Sequence, residues 1–359
     1  MATRETIWEG RHNNFDALRL VLALLVLLSH SYPLGTGSEA REPFLRITHG
    51  QMTGGAVAVD LFFIMSGFMI AASMQRARST GQFLMRRITR IYPAYIVCAL
   101  VSIAAIATLA GASLVPSVGA RIADFLLQTL RLREFTYSNA FAHNPLPDVI
   151  NGSTWSIQFE VWCYIGVALL GVTGMLLRRG VLAVVFAASI VCSVLFAARH
   201  WNPGGMFLGI LFGPPSLWAR LLPLYIAGVV FYLYREHIPH RLWLAALSFA
   251  LLIAGSLLPF GMAVVFPIAG AYCVFYLAFA PWLRLHHAAR FGDFSYGAYL
   301  YAFPIQQLLV QHANHNLSPS VLFVQAAPLT LLAAIASWYA VERHFLRPAR
   351  RQQTIAQIL

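Results

Sequence analysis

Lysine is missing altogether from these 359 residues, so all 25 basic side chains are arginine. Acidic residues number only 13, and charged residues make up 11% of the chain against 59% hydrophobic. Soluble domains carry nearer a quarter charged residues. Too few polar side chains are left to cover a globule in water, so most of the surface must face lipid. Cysteine is limited to Cys98, Cys163, Cys192 and Cys273. Each lies inside an apolar run without metal or disulfide spacing, so they read as small core residues and no metal site is expected. Also lacking are internal repeats, low-complexity tracts and any linker to a second domain. The first apolar run has no small-residue cleavage site and continues past a polar pair, so it is expected to stay as a helix.

What the sequence does have is a succession of apolar runs, near 14–34, 57–75, 91–112, 154–177, 180–199, 218–234, 242–259, 262–283, 294–312 and 321–342. The expectation is an all-α membrane protein, a bundle of about ten transmembrane helices forming a single domain over 1–359. The Pro- and Gly-bearing stretch 113–153 is expected outside the membrane, with an amphipathic helix near Ile122–Leu132. The net charge of +12 does not point to nucleic acid, because the arginines cluster between apolar runs. With the N-terminus inside, the outer side receives Arg41, Arg46, Arg121, Arg131, Arg133, Arg199 and Arg220, which leaves the other 18 of the 25 inside. That bias predicts a multi-pass protein of the bacterial inner membrane with both termini cytoplasmic.

Ionisable groups inside lipid are costly and single out candidates. In the first run, Arg19 and His30 stand eleven positions apart. At 100° per residue this is about 20° past three full turns, so both lie on one face, about 16 Å apart along the axis. Asp16 is three residues from Arg19, a spacing that permits a salt bridge. The plainer reading is a snorkelling arginine and a hydrogen-bonded core histidine. The sharper reading takes a buried neutral imidazole as a general base for a hydroxyl. Arg19 stays protonated, so it would hold a phosphate or stabilise developing negative charge. The second run, opening Gly54-Gly55, has small residues suited to close helix approach and carries Asp60, which on the plainer reading pairs with a nearby basic group. Arg86, Arg87, Arg90 and Tyr92 fall at the start of the third run. Any inner loop gathers arginine, yet this spacing also suits a phosphate-rich ligand. The fourth run opens with Trp155, Ser156 and Glu160; Ser156 and Glu160 share a face, and Trp155 fits an interfacial belt. Glu342-Arg343 at the last run reads as a terminal ion pair.

Together the stretches FDALRLVLALLVLLSH (15–30), VDLFFIMSGFMI (59–70), RRITRIYPAY (86–95), NGSTWSIQFEVWCY (151–164), FSYGAYLYAFPIQ (294–306) and the Glu342-Arg343 end resemble acyltransferase family 3, the bacterial membrane O-acyltransferases of surface glycans. The resemblance runs in the family's order over nearly the whole chain. It implies transfer of an acyl group, usually acetyl, from cytoplasmic acyl-coenzyme A across the membrane to a hydroxyl of a carbohydrate acceptor, free or lipid-linked. Acetyl-CoA would be a co-substrate, with no tightly bound cofactor. The family's essential arginine and histidine map onto Arg19 and His30, and its coenzyme-linked arginines onto Arg86, Arg87 and Arg90, with Tyr92 beside them. Asp16, Asp60, Trp155, Ser156 and Glu160 become candidates for supporting the chemistry or binding acceptor. Two positions depart from the family: Ala302 stands where many members have histidine, and His344 where many have proline. The esterase-like domain fused to some relatives is absent from this sequence. A competing reading is a secondary transporter whose path is lined by Arg19, His30, Asp60 and Glu160. The catalytic reading requires Arg19 and His30 to line one internal cavity opening near Arg86 and Arg90.

Overall fold

The computed structural model describes residues 13–109, 127–133, 135–136, 140–201, 207–285, 287–288, 290–314 and 317–346. Ten long helices occur among them: α1 (Phe15–Thr36), α2 (Gly54–Gln75), α3 (Thr80–Leu109), α4 (Trp155–Val172), α5 (Arg179–Ala198), α6 (Pro215–Tyr234), α7 (Leu242–Leu257), α8 (Gly261–Ala278), α9 (Ser295–His312) and α10 (Pro319–Phe345). Eight of these are long and apolar enough to cross a membrane. The other two are α7, which has 16 residues, and α9, which is rich in buried polar side chains. The all-α membrane bundle expected from the apolar runs is the fold observed.

The sequence explains where the helices start and stop. Gly37 ends α1 in the left-handed conformation, with φ 74°. Thr53 caps α2 through its hydroxyl, which accepts from Ala56 N at 3.1 Å. Between them, the buried Glu42 carboxylate accepts from Leu45 N of a short helix (Pro43–Ile47) and from Gly54 N at the start of α2. One side chain thus fixes two helix starts. α3 begins at Thr80, eleven residues before the apolar run that marks it. Gln82, Leu84, Met85 and the three arginines of 80–90 are good helix formers, and amphipathicity rather than uniform hydropathy carries the helix outward. The arginines at 86, 87 and 90 therefore ride on helical turns and do not sit in a loop.

The most buried helices are α2, α6, α8 and α9, with α1 packed between α2, α9 and α10, while α5, α7 and α10 are the most exposed. The outer helices are apolar on their exposed faces: Val181, Val184, Val191 and Leu195 of α5 and Trp243, Phe249, Ile253 and Leu257 of α7 all stand outward. Such surfaces suit a hydrocarbon solvent. Small residues let the inner helices approach closely. A Cβ added at Gly67 of α2 would strike the Tyr225 carbonyl of α6, and one at Gly228 of α6 would strike the Ile64 carbonyl of α2.

Part of the stretch between α3 and α4 is ordered against the helices. Residues 110–126, which include the start of the proposed amphipathic helix at Ile122–Leu132, lie outside the described residues, although 127–130 are helical. Residues 135–136 and 140–151 pack against the helices. A two-stranded antiparallel pair joins β1 (Phe135–Thr136) to β2 (Val149–Asn151). Tyr95 of α3 donates to the Arg133 carbonyl at 2.8 Å, and Asn151 donates to the Leu300 carbonyl of α9 at 2.8 Å. Gln307 of α9 donates to the carbonyls of Leu146 and Val149 and accepts from Asn144. These carbonyls are satisfied by protein side chains, as buried polar backbone must be. Asn151, Ser153 and Thr154 are accordingly buried.

The Gly67–Gly228 contact gives a stability prediction. Gly228→Val should lower the melting temperature in detergent by an amount equivalent to about 1–3 kcal/mol, or prevent accumulation. Gly81→Ala, where a Cβ meets nothing within 4 Å, should not.

Candidate active site

Charges from the first turns of α1, the third turn of α3 and the entry to α9 converge at one end of the bundle. Arg19 donates to Asp16 at 2.7 Å, one turn earlier in α1, and to Asp293 Oδ2 at 3.1 Å. Arg90 of α3 reaches the same oxygen at 2.5 Å and lies 4.0 Å from Glu342 Oε2 of α10. Asp293 precedes α9, and its other oxygen accepts from the Ser295 hydroxyl at 2.5 Å and the Ser295 N–H at 3.2 Å. Burial alone would raise the Asp293 carboxyl, but Arg90 and Arg19 outweigh it and hold it down at about 2. A π-helical turn at Trp338–Glu342 accompanies the inward turn of Glu342, which also accepts from Ser337. The expected terminal ion pair is thus replaced: Glu342 faces Arg90 across the bundle, and Arg343 lies over the Tyr339 ring.

Above this network lies a chamber of about 230 Å³, lined by Arg19, Ser66, Met69, Arg87, Arg90, Ser156, Glu160, Tyr164, Tyr296 and Tyr299 among others. Glu160, in the second turn of α4, accepts from the Ser66 hydroxyl at 3.0 Å and from the Tyr164 hydroxyl. Arg87 stands over the rings of Phe83 and Tyr164, about 6 Å from each centroid, and reaches Ser73 at 3.4 Å. Its Nε is buried without a protein partner. Arg90 and Arg19 are held by carboxylates, so Arg87 has the most spare donor capacity of the three. Arg86, counted with them from sequence, is exposed and does not line this chamber. Tyr92 points away from this lining and donates to the Leu130 carbonyl at 3.4 Å.

His30 lines a different chamber of about 430 Å³ towards the other end. Ser29, Glu39, Trp155 and Arg220 share it. The His30 ring meets Phe303 edge-on, with centroids 5.4 Å apart, and its Nδ1 is buried without a protein partner. Asp60 does pair with a basic group: Arg220 Nη2 donates to its Oδ1 at 2.7 Å and to the Ala56 carbonyl at 3.2 Å. Ala302 packs with Leu27 and Ala326, away from either lining.

The one cavity expected around Arg19 and His30 is therefore two chambers, meeting at Val59 and Tyr299, which belong to both walls. Tyr299 is fixed there. Its hydroxyl donates to the Ser153 carbonyl at 2.5 Å and accepts from Ser156 at 2.8 Å, and its ring meets Phe62 edge-on. The helical arithmetic stands, since Arg19 and His30 face the same interior from one helix, but side chains of α2 and α9 divide the space between them.

Sequence reasoning misses Asp293, Tyr164, Tyr299 and Arg220. A signal for Arg220 exists: Asp60 needs a counter-charge, and Arg220 is followed by an apolar run. Its place at the edge of that run groups it with the loop arginines instead.

The model of a family described as an acyltransferase domain matches residues 12–339. An O-acetyl transferase of Shigella phage Sf6 is 27% identical over 338 residues, covering 94% of this chain and 96% of the relative. Nodulation protein 10 of Rhizobium leguminosarum bv. viciae is 25% identical over 369 aligned residues, covering 96% and 95%. No solved structure matches the chain.

Asp293 gives a pH prediction. A carboxyl held below its ordinary value contributes stability above about pH 4 that is lost as the pH falls towards 2. Asp293→Asn should therefore be less stable than the natural chain at pH 7 by about 2 kcal/mol, and the two melting temperatures should converge as the pH is lowered from about 4 towards 2. A gap that does not change with pH would disprove the ionic role.

Proposed function

The chain belongs to acyltransferase family 3 and is a membrane O-acyltransferase, and from that premise we propose that it passes an acyl group, most simply acetyl, from cytoplasmic acyl-CoA to a carbohydrate hydroxyl on the far side of the inner membrane. The observation that carries this reading is the pair of chambers along one face of α1, one with arginines and one with histidine, meeting at Val59 and Tyr299. The arginine-rich end takes the cytoplasmic side, with both termini there, in accord with the arginine bias of the sequence.

On this reading the phosphates of the donor meet Arg87, with Arg86 at the rim. Arg19 and Arg90 are positioned by Asp293, and Arg19 steadies the donor where its pantetheine arm enters. Arg19 is about 16 Å from His30 along α1, too far to stabilise an oxyanion formed beside the imidazole. The thin pantetheine arm carries the thioester past Tyr299 into the histidine chamber. There a neutral His30 takes the proton of the acceptor hydroxyl as its oxygen attacks the thioester carbonyl. The C–S bond breaks, the new ester leaves on the acceptor, and the thiolate takes up the proton to give free coenzyme A. Glu160, held by Ser66 and Tyr164, shapes the donor chamber, and Trp155 and Asp60 belong to the acceptor side. The transporter reading drawn from the same charges has no observation that favours it over the family's chemistry.

A deletion strain complemented with the natural gene should regain base-labile acetyl on its surface glycans. His30→Ala, at equal abundance in the membrane, should not, and in purified form should transfer acetyl about 10²–10⁴-fold more slowly. Arg87→Ala should raise the KM for acetyl-CoA about tenfold or more, whereas Arg86→Ala should move it little. Acetyl restored fully by His30→Ala would sink the assignment.

A further inference from the structure

A third cavity, of about 700 Å³, lies at the histidine end of the bundle. Arg220 and Asp60 line it, and Arg220 also lines the His30 chamber, so this pair stands at the junction of the two spaces. Arg220 uses only one of its nitrogens internally: Nη2 serves both the Asp60 carboxylate and the Ala56 carbonyl. The carboxylate is buried, with a side-chain exposure of 5%, whereas the arginine keeps 36%. A guanidinium gripped through one corner presents its remaining N–H groups at a fixed angle. Two other polar groups on the wall of this cavity are already committed. Gln51 donates to the carbonyls of Gly255, Ser256 and Leu258, and His49 is bonded to Ser256.

We infer that Arg220, held by Asp60, is the binding group for the acceptor, and that the acceptor is a neutral glycoside and not an acidic sugar. This rests on the acyl-transfer reading for the identity of its ligand. Asp60 already cancels the charge of Arg220, and Glu39, also on the wall of the His30 chamber, adds a negative charge. A uronate or sialate entering the junction would meet a carboxylate surplus, whereas neutral hydroxyls find donors on Arg220 and an acceptor on Glu39. Trp155 supplies an aromatic face for the apolar side of a pyranose ring. Anchored here, a sugar places a free hydroxyl in the chamber of His30.

The test needs no turnover. Saturation-transfer NMR on the full chain in detergent would use methyl α-D-glucopyranoside, methyl α-D-galactopyranoside and methyl α-L-rhamnopyranoside as neutral probes, and methyl α-D-glucopyranosiduronate as the acidic one. At least one neutral glycoside should bind about tenfold more tightly than the uronate. Arg220→Gln alone would strand a buried carboxylate, so the informative variant is the double substitution Asp60→Asn/Arg220→Gln, which keeps a neutral hydrogen-bonding pair. It should keep the natural melting temperature and lose neutral-glycoside binding by about tenfold or more. Unchanged binding in the double variant, equal or tighter binding of the uronate, or no binding of any neutral probe would overturn the proposal. Failure of the acyl-transfer reading would appear separately, as glycosides that bind through Arg220 but are never acetylated when acetyl-CoA is supplied.

Discussion

Hydrocarbon offers no water to an arginine or a carboxylate, so the charges carried into this bundle are met by counter-charges, hydroxyls or aromatic rings from other parts of the fold. At one end the chain of partners runs Asp16–Arg19–Asp293–Arg90–Glu342 and ties together α1, α3, α10 and the entry to α9. Towards the other end, Arg220 of α6 answers Asp60 of α2. These contacts do more than neutralise. They fix which faces of inner and outer helices meet, and so where cavities can open. Breaking one partner would strand the other in a medium of low dielectric, which makes the positions mutually dependent.

Between the two ionic clusters the interior mixes apolar and aromatic side chains with Ser66, Ser156, Glu160 and Arg87, and α1 runs through it as a shared wall. The clusters leave a chamber beside each: one with Arg87 only partly committed, the other with the imidazole of His30 and one of its nitrogens unpartnered. Tyr299 separates them while held by two hydroxyl contacts. For a group-transfer enzyme working between two compartments, this division has a physical use. The donor and acceptor need meet only at a narrow place, and water has no wide path between them. The proposed route assigns the chambers in that way.

The sequence made some of this legible and hid the rest for identifiable reasons. Ten apolar runs became ten helices, because hydropathy reports directly on the solvent a helix faces. The shared orientation of Arg19 and His30 followed from helical rotation alone, which needs no tertiary information. Partners across helices could not be read that way. Asp293 stands just before the run at 294–312 with nothing to mark it, and Glu342 reads as one half of a terminal pair, because proximity in sequence says nothing about which residues meet 200 positions apart. Arg220 was hidden by a boundary, one turn inside α6 and therefore easily counted as loop. The arginines of α3 read as loop residues because hydropathy overlooks amphipathic turns beyond the membrane. Tyr299 carried no signal at all: among many aromatic residues, only the packing of α9 against α2 and α4 marks it as the dividing side chain.

The central claim is that donor and acceptor approach His30 from opposite faces of the membrane. It is tested most directly in sealed, inside-out membrane vesicles containing the full chain, with radiolabelled acetyl-CoA added outside and a neutral methyl glycoside either trapped in the lumen or supplied outside. The account predicts that labelled acetyl ester forms on the trapped glycoside, and that vesicles bearing His30→Ala form none. Label appearing only on glycoside supplied outside, with the lumenal pool untouched, would contradict it.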